Sequence, residues 1–298
     1  MVETSLPSST DRGSAEPLLT VAMPVYNAGR HLRAAVASVV AQTFRDWELL
    51  IIDDGSTDDA LLTIEDISDP RVRILRDGRN KGLAARLNEA IDLARGSYFA
   101  RMDQDDVSYP ERFQCQLDLL LRSPGIDVVA VRAITISVED ELLGYFPVAT
   151  THERICARPW LGFYFPHPTW LGHTSWFRRH RYATPGPYFC EDQELLLRTH
   201  ARSRFAAVDR ILFAYRVRQR INLRKQLKTR FTLCSLQVSY FLHQRQPVNF
   251  FMAILAFGGR VASDLLSGCF PDTGWLSRNI FIESTDHRQW IAVKNIMM

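Results

Sequence analysis

Apolar runs of strand length alternate with helical patterns in the first hundred residues, and this alternation constrains the fold more than any other feature of the sequence. Continuous apolar runs are typical of strands that are buried on both faces. Residues 29–42 and 82–94 instead place apolar side chains at helical spacing. The alternation predicts an α/β domain with a mainly parallel central sheet and right-handed crossovers. The predicted strands are residues 18–27, 46–52, 72–75 and 98–102.

Polar side chains follow three of these strands, in the stretches 26–27, 53–54 and 103–105. Ligands of open α/β sheets bind beyond the carboxyl ends of parallel strands, which share one edge of the sheet. Asp103 and Asp105 flank Gln104, and paired carboxylates suit Mg²⁺ or Mn²⁺. Asp106 or Ser108 could instead cap a helix that begins near Pro110, and the other role open to Asp106 is to support the two carboxylates. The convergence of the three strand ends favours a cation site.

Composition limits the remaining classes of protein. A chain of 298 residues with 46% hydrophobic side chains can bury one large core, or one core with an appendage. Its five cysteines form no CxxC pair, which predicts neither a disulfide framework nor a zinc site and favours a reducing compartment. Residues 1–17 are largely polar, so we expect a disordered lead-in and no secretory signal there.

An ordered set of motifs resembles the family 2 glycosyltransferases with the A-type fold. The set covers roughly residues 18–218, with a nucleotide-sugar-binding half at 18–106 and an acceptor-binding half at 107–218. No single motif is specific, but their order along the chain is. The motifs are Thr20–Asn27, Ser38–Thr43, Leu49–Asp58, Asn80–Ala84, Asp103–Asp106 and Cys190–Leu195.

The resemblance implies a nucleotide-diphospho-sugar donor, with UDP-sugars favoured, and an inverting transfer to an acceptor hydroxyl. It implies that Asp53 and Asp54 recognise the uracil or ribose, that Asp105 binds Mn²⁺ or Mg²⁺ directly, and that Asp103 contacts the ribose or a metal-bound water. A divalent ion would stabilise the negative charge that the leaving diphosphate gathers. The remaining residues of the predicted donor site are Pro24, Tyr26, Asn27, Lys81 and Gln104.

Inversion also requires a base on the face of the sugar opposite the leaving group. The resemblance identifies Asp192 as this base and Glu191 as a neighbour that positions it. Both residues precede a helical pattern. The alternative is that they only stabilise the helix, because acidic side chains at a helix N-terminus interact favourably with the helix dipole.

The acceptor side is less defined by the sequence. Trp170 and Trp176 either form an aromatic wall of the acceptor site or pack in the core. His167 either makes a hydrogen bond near the metal site or is a buried structural histidine. Arg218 stands where many relatives carry a histidine, and it could contact the diphosphate. The Gln-x-x-Arg-Trp signature of processive synthases is absent, which favours addition of single sugars.

The predicted C-terminal extension, residues 219–298, is basic, apolar and helical in pattern. Residues 210–263 carry ten Arg or Lys and no Asp or Glu. A helical pattern at 223–243 precedes an apolar segment at 248–259, which is shorter than the ~20 residues of a membrane span. Residues 219–260 could rest on the anionic cytoplasmic membrane face near a lipid-linked acceptor, pack on the catalytic domain, or join a second copy in a homodimer.

We therefore expect a cytoplasmic, metal-assisted sugar transferase that contributes to a polysaccharide, lipopolysaccharide or other glycan, with no nucleic-acid partner. Two other classes stay open at the level of sequence. A nucleotidyltransferase would usually carry a glycine-rich phosphate loop near the first strand, for which residues 24–29 are a poor match. A catalytically inactive binding or scaffold protein would be expected to lack one of the carboxylates.

Overall fold

The computed structural model describes residues 16–217, 222–269 and 282–297, so most of the predicted lead-in and Arg218 lie outside the described residues. Within these ranges nine strands form one sheet in the order β3-β2-β1-β4-β8-β6-β9-β5, and β7 pairs with β6. The strands are β1 Leu19–Val25, β2 Trp47–Asp53, β3 Val72–Arg76, β4 Tyr98–Arg101, β5 Val107–Ser108, β6 Val128–Ile136, β7 Leu142–Tyr145, β8 Leu171–His173 and β9 Phe205–Arg216.

The first four strands are parallel neighbours, as the sequence predicts. In the register, Val25 of β1 lies beside Asp53 of β2, and Ala22 lies beside Arg101 of β4 on the other side. The carboxyl ends of β2, β1 and β4 therefore share one edge of the sheet. β8 then joins β4 and β6 in antiparallel pairs, while β6 and β9 run parallel.

Helices cover both faces of the sheet, which confirms the predicted α/β class. Side chains alternate along the strands between two core clusters. Val21 and Met23 pack with the helices at 32–40, 112–122 and 284–297, whereas Ala22 packs with those at 83–93, 174–179, 191–199, 223–243 and 247–269. The helices are α1 Leu32–Val40, α2 Leu83–Leu93, α3 Arg112–Arg122, α4 His152–Ile155, α5 Thr174–Arg179, α6 Glu191–Thr199, α7 Leu223–His243, α8 Pro247–Cys269 and α9 Ser284–Met297.

The prediction that the apolar segment near residue 250 is short is wrong. The helix there, α8, continues past Arg260 and has 23 residues in total. The charged residues of its second half face the protein: Arg260 donates to the carbonyl of Leu161, and Asp264 pairs with Arg230 at 2.9 Å. By length and composition alone, residues 247–266 could cross a membrane. α7 and α8 form a hairpin, whereas α9 packs on the opposite face of the sheet beside α1.

Candidate active site

A cavity of about 640 Å³ opens at the edge where β1, β2 and β4 end. Its walls come from the loops after these strands, from residues 163–168 and from the start of α6. The structure thus brings together nine of the predicted site residues, although they are spread over residues 24–192 of the sequence. These nine are Pro24, Tyr26, Asp54, Asp103, Gln104, Asp105, His167, Glu191 and Asp192.

Hydrogen bonds join the strand-end loops to one another. The side chain of Gln104 accepts from the backbone N–H of Tyr26 at 2.6 Å and donates to its carbonyl at 3.0 Å. Asn27 Oδ1 accepts from the backbone N–H of Thr57 at 2.8 Å. Gln104 and Asn27 therefore hold the loops together, which preforms the floor of the cavity.

The two carboxylates after β2 have different positions. Asp53 is buried, accepts from the backbone N–H of Ser56 at 2.9 Å and does not line the cavity. Asp54 lines it, and its carboxylate accepts from the N–H of Lys81 at 2.6 Å and from Arg86 Nε at 2.8 Å. The amine of Lys81 pairs with Asp77 at 2.6 Å, so it does not line this cavity either. Asp54 is as buried as Asp53, and it is the residue of this group that lies on the cavity wall.

A buried arginine lies beneath the acidic loop. Arg101, the last residue of β4, is 3% exposed, and its guanidinium pairs with Asp103 Oδ1 at 2.5 Å. The sequence analysis missed Arg101, although an arginine inside an apolar strand next to the first aspartate is a detectable signal. Its charge balances the negative charge of the loop.

Asp106 supports this loop and does not cap a helix. The prediction of a cap is wrong because α3 begins only at Arg112. Asp106 is 1% exposed and accepts from the backbone N–H of Arg216 at 2.7 Å. Burial, followed by the charges of Asp103 and Asp105, raises its pKa well above the usual range. The side chain of Arg216 holds the same loop, since its Nε donates to the carbonyl of Asp105 at 2.7 Å.

The donor set of this loop fits a divalent ion that also binds phosphate. Asp103 and Asp105 supply two carboxylates on one wall of the cavity, and Mg²⁺ is usually held by one or two carboxylates plus substrate phosphates. Among the described residues, no group of three His, Cys, Asp or Glu is arranged to hold a metal. A divalent ion held by these two carboxylates alone would take its remaining ligands from phosphate and water.

Glu191 and Asp192 open α6 and face the same cavity. Asp192 Oδ2 accepts from Gln193 Nε2 at 2.9 Å, and Gln193 Oε1 accepts from the backbone N–H of Phe163 at 2.9 Å. Burial raises the pKa of both carboxyls. A raised pKa makes a carboxylate a stronger base near neutral pH.

The two tryptophans do not form an acceptor wall. Trp170 and Trp176 are 0% and 1% exposed, and the indole N–H of Trp176 donates to Ser203 Oγ at 2.9 Å. Both rings fill the core between the sheet and its helices. The cavity is lined instead by smaller aromatic rings, namely Phe146, Phe163, Phe165, Phe189 and Tyr215.

His167 lines the cavity next to Tyr182. Its Nε2 lies 2.7 Å from the hydroxyl of Tyr182, and its ring packs against Trp170 with 4.6 Å between the centroids. Burial, with the charge of Arg101, lowers its pKa well below the usual range. The lowered pKa favours the neutral imidazole, which can donate or accept a hydrogen bond but adds no charge to the cavity.

Comparison with known proteins supports this geometry. The family model described as glycosyl transferase family 2 matches residues 20–181, which is more than half of the chain. Over 106 residues, 36% of this chain, the chain is 34% identical to the Escherichia coli UDP-Glc:alpha-D-GlcNAc-diphosphoundecaprenol beta-1,3-glucosyltransferase WfgD, and the match spans 42% of that protein.

Solved structures share the fold at low sequence identity. TarS 1-349 of S. aureus in complex with UDP-GlcNAc superposes with a TM-score of 0.58 at 16% identity, over 94% of this chain and 80% of that one. The mannosyltransferase PcManGT of Pyrobaculum calidifontis, in complex with GDP-Man and Mn²⁺, gives 0.58 at 15% identity, over 95% and 87%. The family model matches more than half of the chain, and the fold and the cavity at the strand ends agree with it. The chain belongs to glycosyl transferase family 2.

Proposed function

We propose that the chain transfers a single sugar, with inversion, from a nucleotide-diphospho-sugar to a hydroxyl of a glycan or lipid-linked acceptor in the assembly of a surface polysaccharide or lipopolysaccharide. The observation that carries the proposal is that Asp103, Asp105 and Asp192 line one cavity. The UDP-Glc donor in the name of WfgD and the UDP-GlcNAc complex of TarS favour a UDP-sugar.

The donor half of the reaction uses the strand-end loops. Asp103 and Asp105 would hold Mn²⁺ or Mg²⁺, which stabilises the negative charge on the departing nucleoside diphosphate. Arg101 orients Asp103 from below. Asp54 lines the cavity beside Asn80 and Gly82 and is our candidate for recognition of the uracil or ribose.

The acceptor half of the reaction uses the start of α6. Asp192 takes the proton of the acceptor hydroxyl while the oxygen forms a bond to the anomeric carbon, and the bond from that carbon to the phosphate oxygen breaks. The electron pair of the broken bond leaves with the diphosphate. Glu191 adds a second carboxylate beside the base, and the phenyl rings of the cavity offer apolar surface to a sugar ring.

Thermal shift with UDP-Glc, UDP-GlcNAc and GDP-Man, each with and without Mn²⁺, tests the donor site. We expect a UDP-sugar to raise the melting temperature more with Mn²⁺ than without it, and Asp105→Ala to remove that difference. Asp209→Ala is the matched control, because Asp209 is an exposed aspartate of β9 that does not line the cavity. If no nucleotide sugar stabilises the protein, the proposal is wrong.

Transfer assays separate the base from the donor site. Asp192→Asn should keep the donor-dependent thermal shift and lower kcat by roughly 10²- to 10⁴-fold, because the amide cannot take the proton. Sugar transfer retained in Asp192→Asn would exclude Asp192 as the base.

A further inference from the structure

The exposed face of α8 is apolar along its whole described length. Helical spacing places Val248, Phe251, Leu255, Leu265 and Leu266 in one stripe, and each is 45–72% exposed. The exposed positions between them are Met252, Ile254, Gly258, Gly259 and Ala262, which carry no charge. The stripe runs for about 27 Å at 1.5 Å per residue. A helix on a water-facing surface has the opposite polarity.

Both charged side chains of α8 point inward. Arg260 donates to the carbonyl of Leu161, Asp264 accepts from Gln226 at 2.7 Å and pairs with Arg230, and Ala253 is fully buried. One side of α8 is therefore fixed to α7 and to the catalytic domain. A helix held in this way cannot be surrounded by lipid, so it would lie in a membrane interface and not cross the bilayer.

Basic residues stand at both ends of the α7–α8 hairpin. Arg224, Lys225 and Lys228 are exposed at the start of α7, which lies beside the end of α8. Arg245 is exposed in the turn between the helices. Like charges would face one another if two copies met across this surface, whereas anionic headgroups complement them.

We propose that the apolar face of α8 and its flanking basic residues dock the enzyme onto an anionic membrane surface. Val248, Phe251 and Leu255 enter the acyl boundary, and Arg224, Lys225 and Arg245 contact lipid phosphates. The helix that carries the docking face is also fixed to the segment that leads into the cavity wall, since Arg260, on the inward side of α8, donates to the carbonyl of Leu161, and Phe163 lines the cavity. This last step rests on the proposed function and would place the acceptor side near a lipid-linked acceptor.

Co-sedimentation of the full chain with vesicles tests the proposal. We expect binding to vesicles of phosphatidylcholine with roughly 30% phosphatidylglycerol, because their negative surface potential attracts basic residues, and little binding to pure phosphatidylcholine. Leu255→Asp should weaken binding on the order of tenfold. Leu62→Asp is the matched control, because Leu62 is 56% exposed in the short 3₁₀ helix at 60–64. The double substitution Arg224→Gln and Lys225→Gln should weaken vesicle binding roughly fivefold for each charge removed. Arg204→Gln, the control at another exposed arginine, should leave vesicle binding unchanged.

Several results would overturn the proposal. They are no binding of the native chain to anionic vesicles, equal loss in Leu62→Asp, and a dimer in sedimentation velocity that Leu255→Asp dissociates while vesicle binding is unchanged. The donor-dependent thermal shift of the same variants separates the two proposals. A variant that loses the vesicles and keeps the shift affects the membrane face alone.

Discussion

Gln193 connects the proposed base to the wall of the cavity. Its amide N–H donates to Asp192, while its carbonyl accepts from the backbone of Phe163. The preceding Gly162 has φ +84°, and a Cβ there would lie 2.6 Å from Gln193 Oε1. The glycine thus leaves room for the bridge. We propose that Gln193 is a positioning residue, since its amide N–H donates to the carboxylate of the proposed base.

The substitution Gln193→Leu should move the pH dependence of transfer. Burial raises the pKa of Asp192, and the hydrogen bond from Gln193 lowers it. Without that bond the charged form loses a donor, so the pKa rises further and the acid limb of the kcat profile moves to higher pH. We also expect kcat at neutral pH to fall about tenfold, with the donor KM unchanged. The measurement is kcat and KM across pH 5–9.

Gln114→Leu is the matched control for this prediction. Gln114 also donates to an aspartate, Asp118, but on the outside of α3. If the acid limb of Gln193→Leu coincides with that of the native enzyme, Gln193 does not tune Asp192.

At the residue scale, the sequence identifies side chains better than their surroundings. Asp103, Asp105 and Asp192 are recognisable because carboxylates at strand and helix ends form spaced motifs. Trp170 and Trp176 are buried, and an aromatic side chain in a sequence looks the same whether it fills a core or lines a cavity. Asp53 and Asp54 are adjacent in the sequence, and only the conformation of the turn decides that Asp54 lines the cavity and Asp53 does not.

Arg216, at the end of β9, ties together elements that are distant in sequence. Besides the carbonyl of Asp105, its guanidinium donates to the carbonyl of Ser137 at 2.6 Å and pairs with Asp140 at 2.7 Å. The loop after β4 is therefore fixed by the last described strand of the sheet and by the β6–β7 connection. This loop carries both proposed metal ligands.

We expect Arg216→Met to damage both stability and donor binding. The change leaves buried acceptors without a partner and should lower the free energy of unfolding by about 3 kcal/mol. It should also weaken the Mn²⁺-dependent stabilisation by a UDP-sugar, since the loop of Asp105 is less fixed. Chemical denaturation and thermal shift measure the two effects. Arg210→Met, on the same strand but exposed, should change neither, and a native donor response in Arg216→Met would contradict the role of this arginine.

At the element scale, strong periodicity predicts well and short elements do not. The helix predicted at 223–243 has those bounds in α7. The prediction for α8 failed because the apolar run in the sequence stops at the charged Arg260, whereas in the structure this side chain turns inward and donates to the carbonyl of Leu161. β5 and β8 have only two and three residues, and they exist because neighbouring strands offer them hydrogen-bond partners.

The residues beyond 218 contribute to both sides of the molecule. α7 and α8 pack on one face of the sheet, and α9 packs on the other beside α1. The indole N–H of Trp290 donates to the carbonyl of Asp140 at 3.0 Å, and Tyr145 donates to Asp286 at 2.6 Å. The sequence predicted one helical extension, because a pattern of apolar residues does not reveal which surface they cover. Through Asp140, α9 is joined to Arg216 and hence to the acidic loop.

This arrangement predicts that α9 is part of the cooperative unit formed by the catalytic fold. Trp290 is 3% exposed, so Trp290→Ala should lower the free energy of unfolding by about 3–5 kcal/mol. Ile291→Ala, at a position 45% exposed on the same helix, should change it by less than about 1 kcal/mol. We expect one denaturation transition in both variants, followed by circular dichroism and by tryptophan fluorescence. A native-like main transition in Trp290→Ala, preceded by a separate loss of helix signal, would mean that α9 folds independently of the sheet.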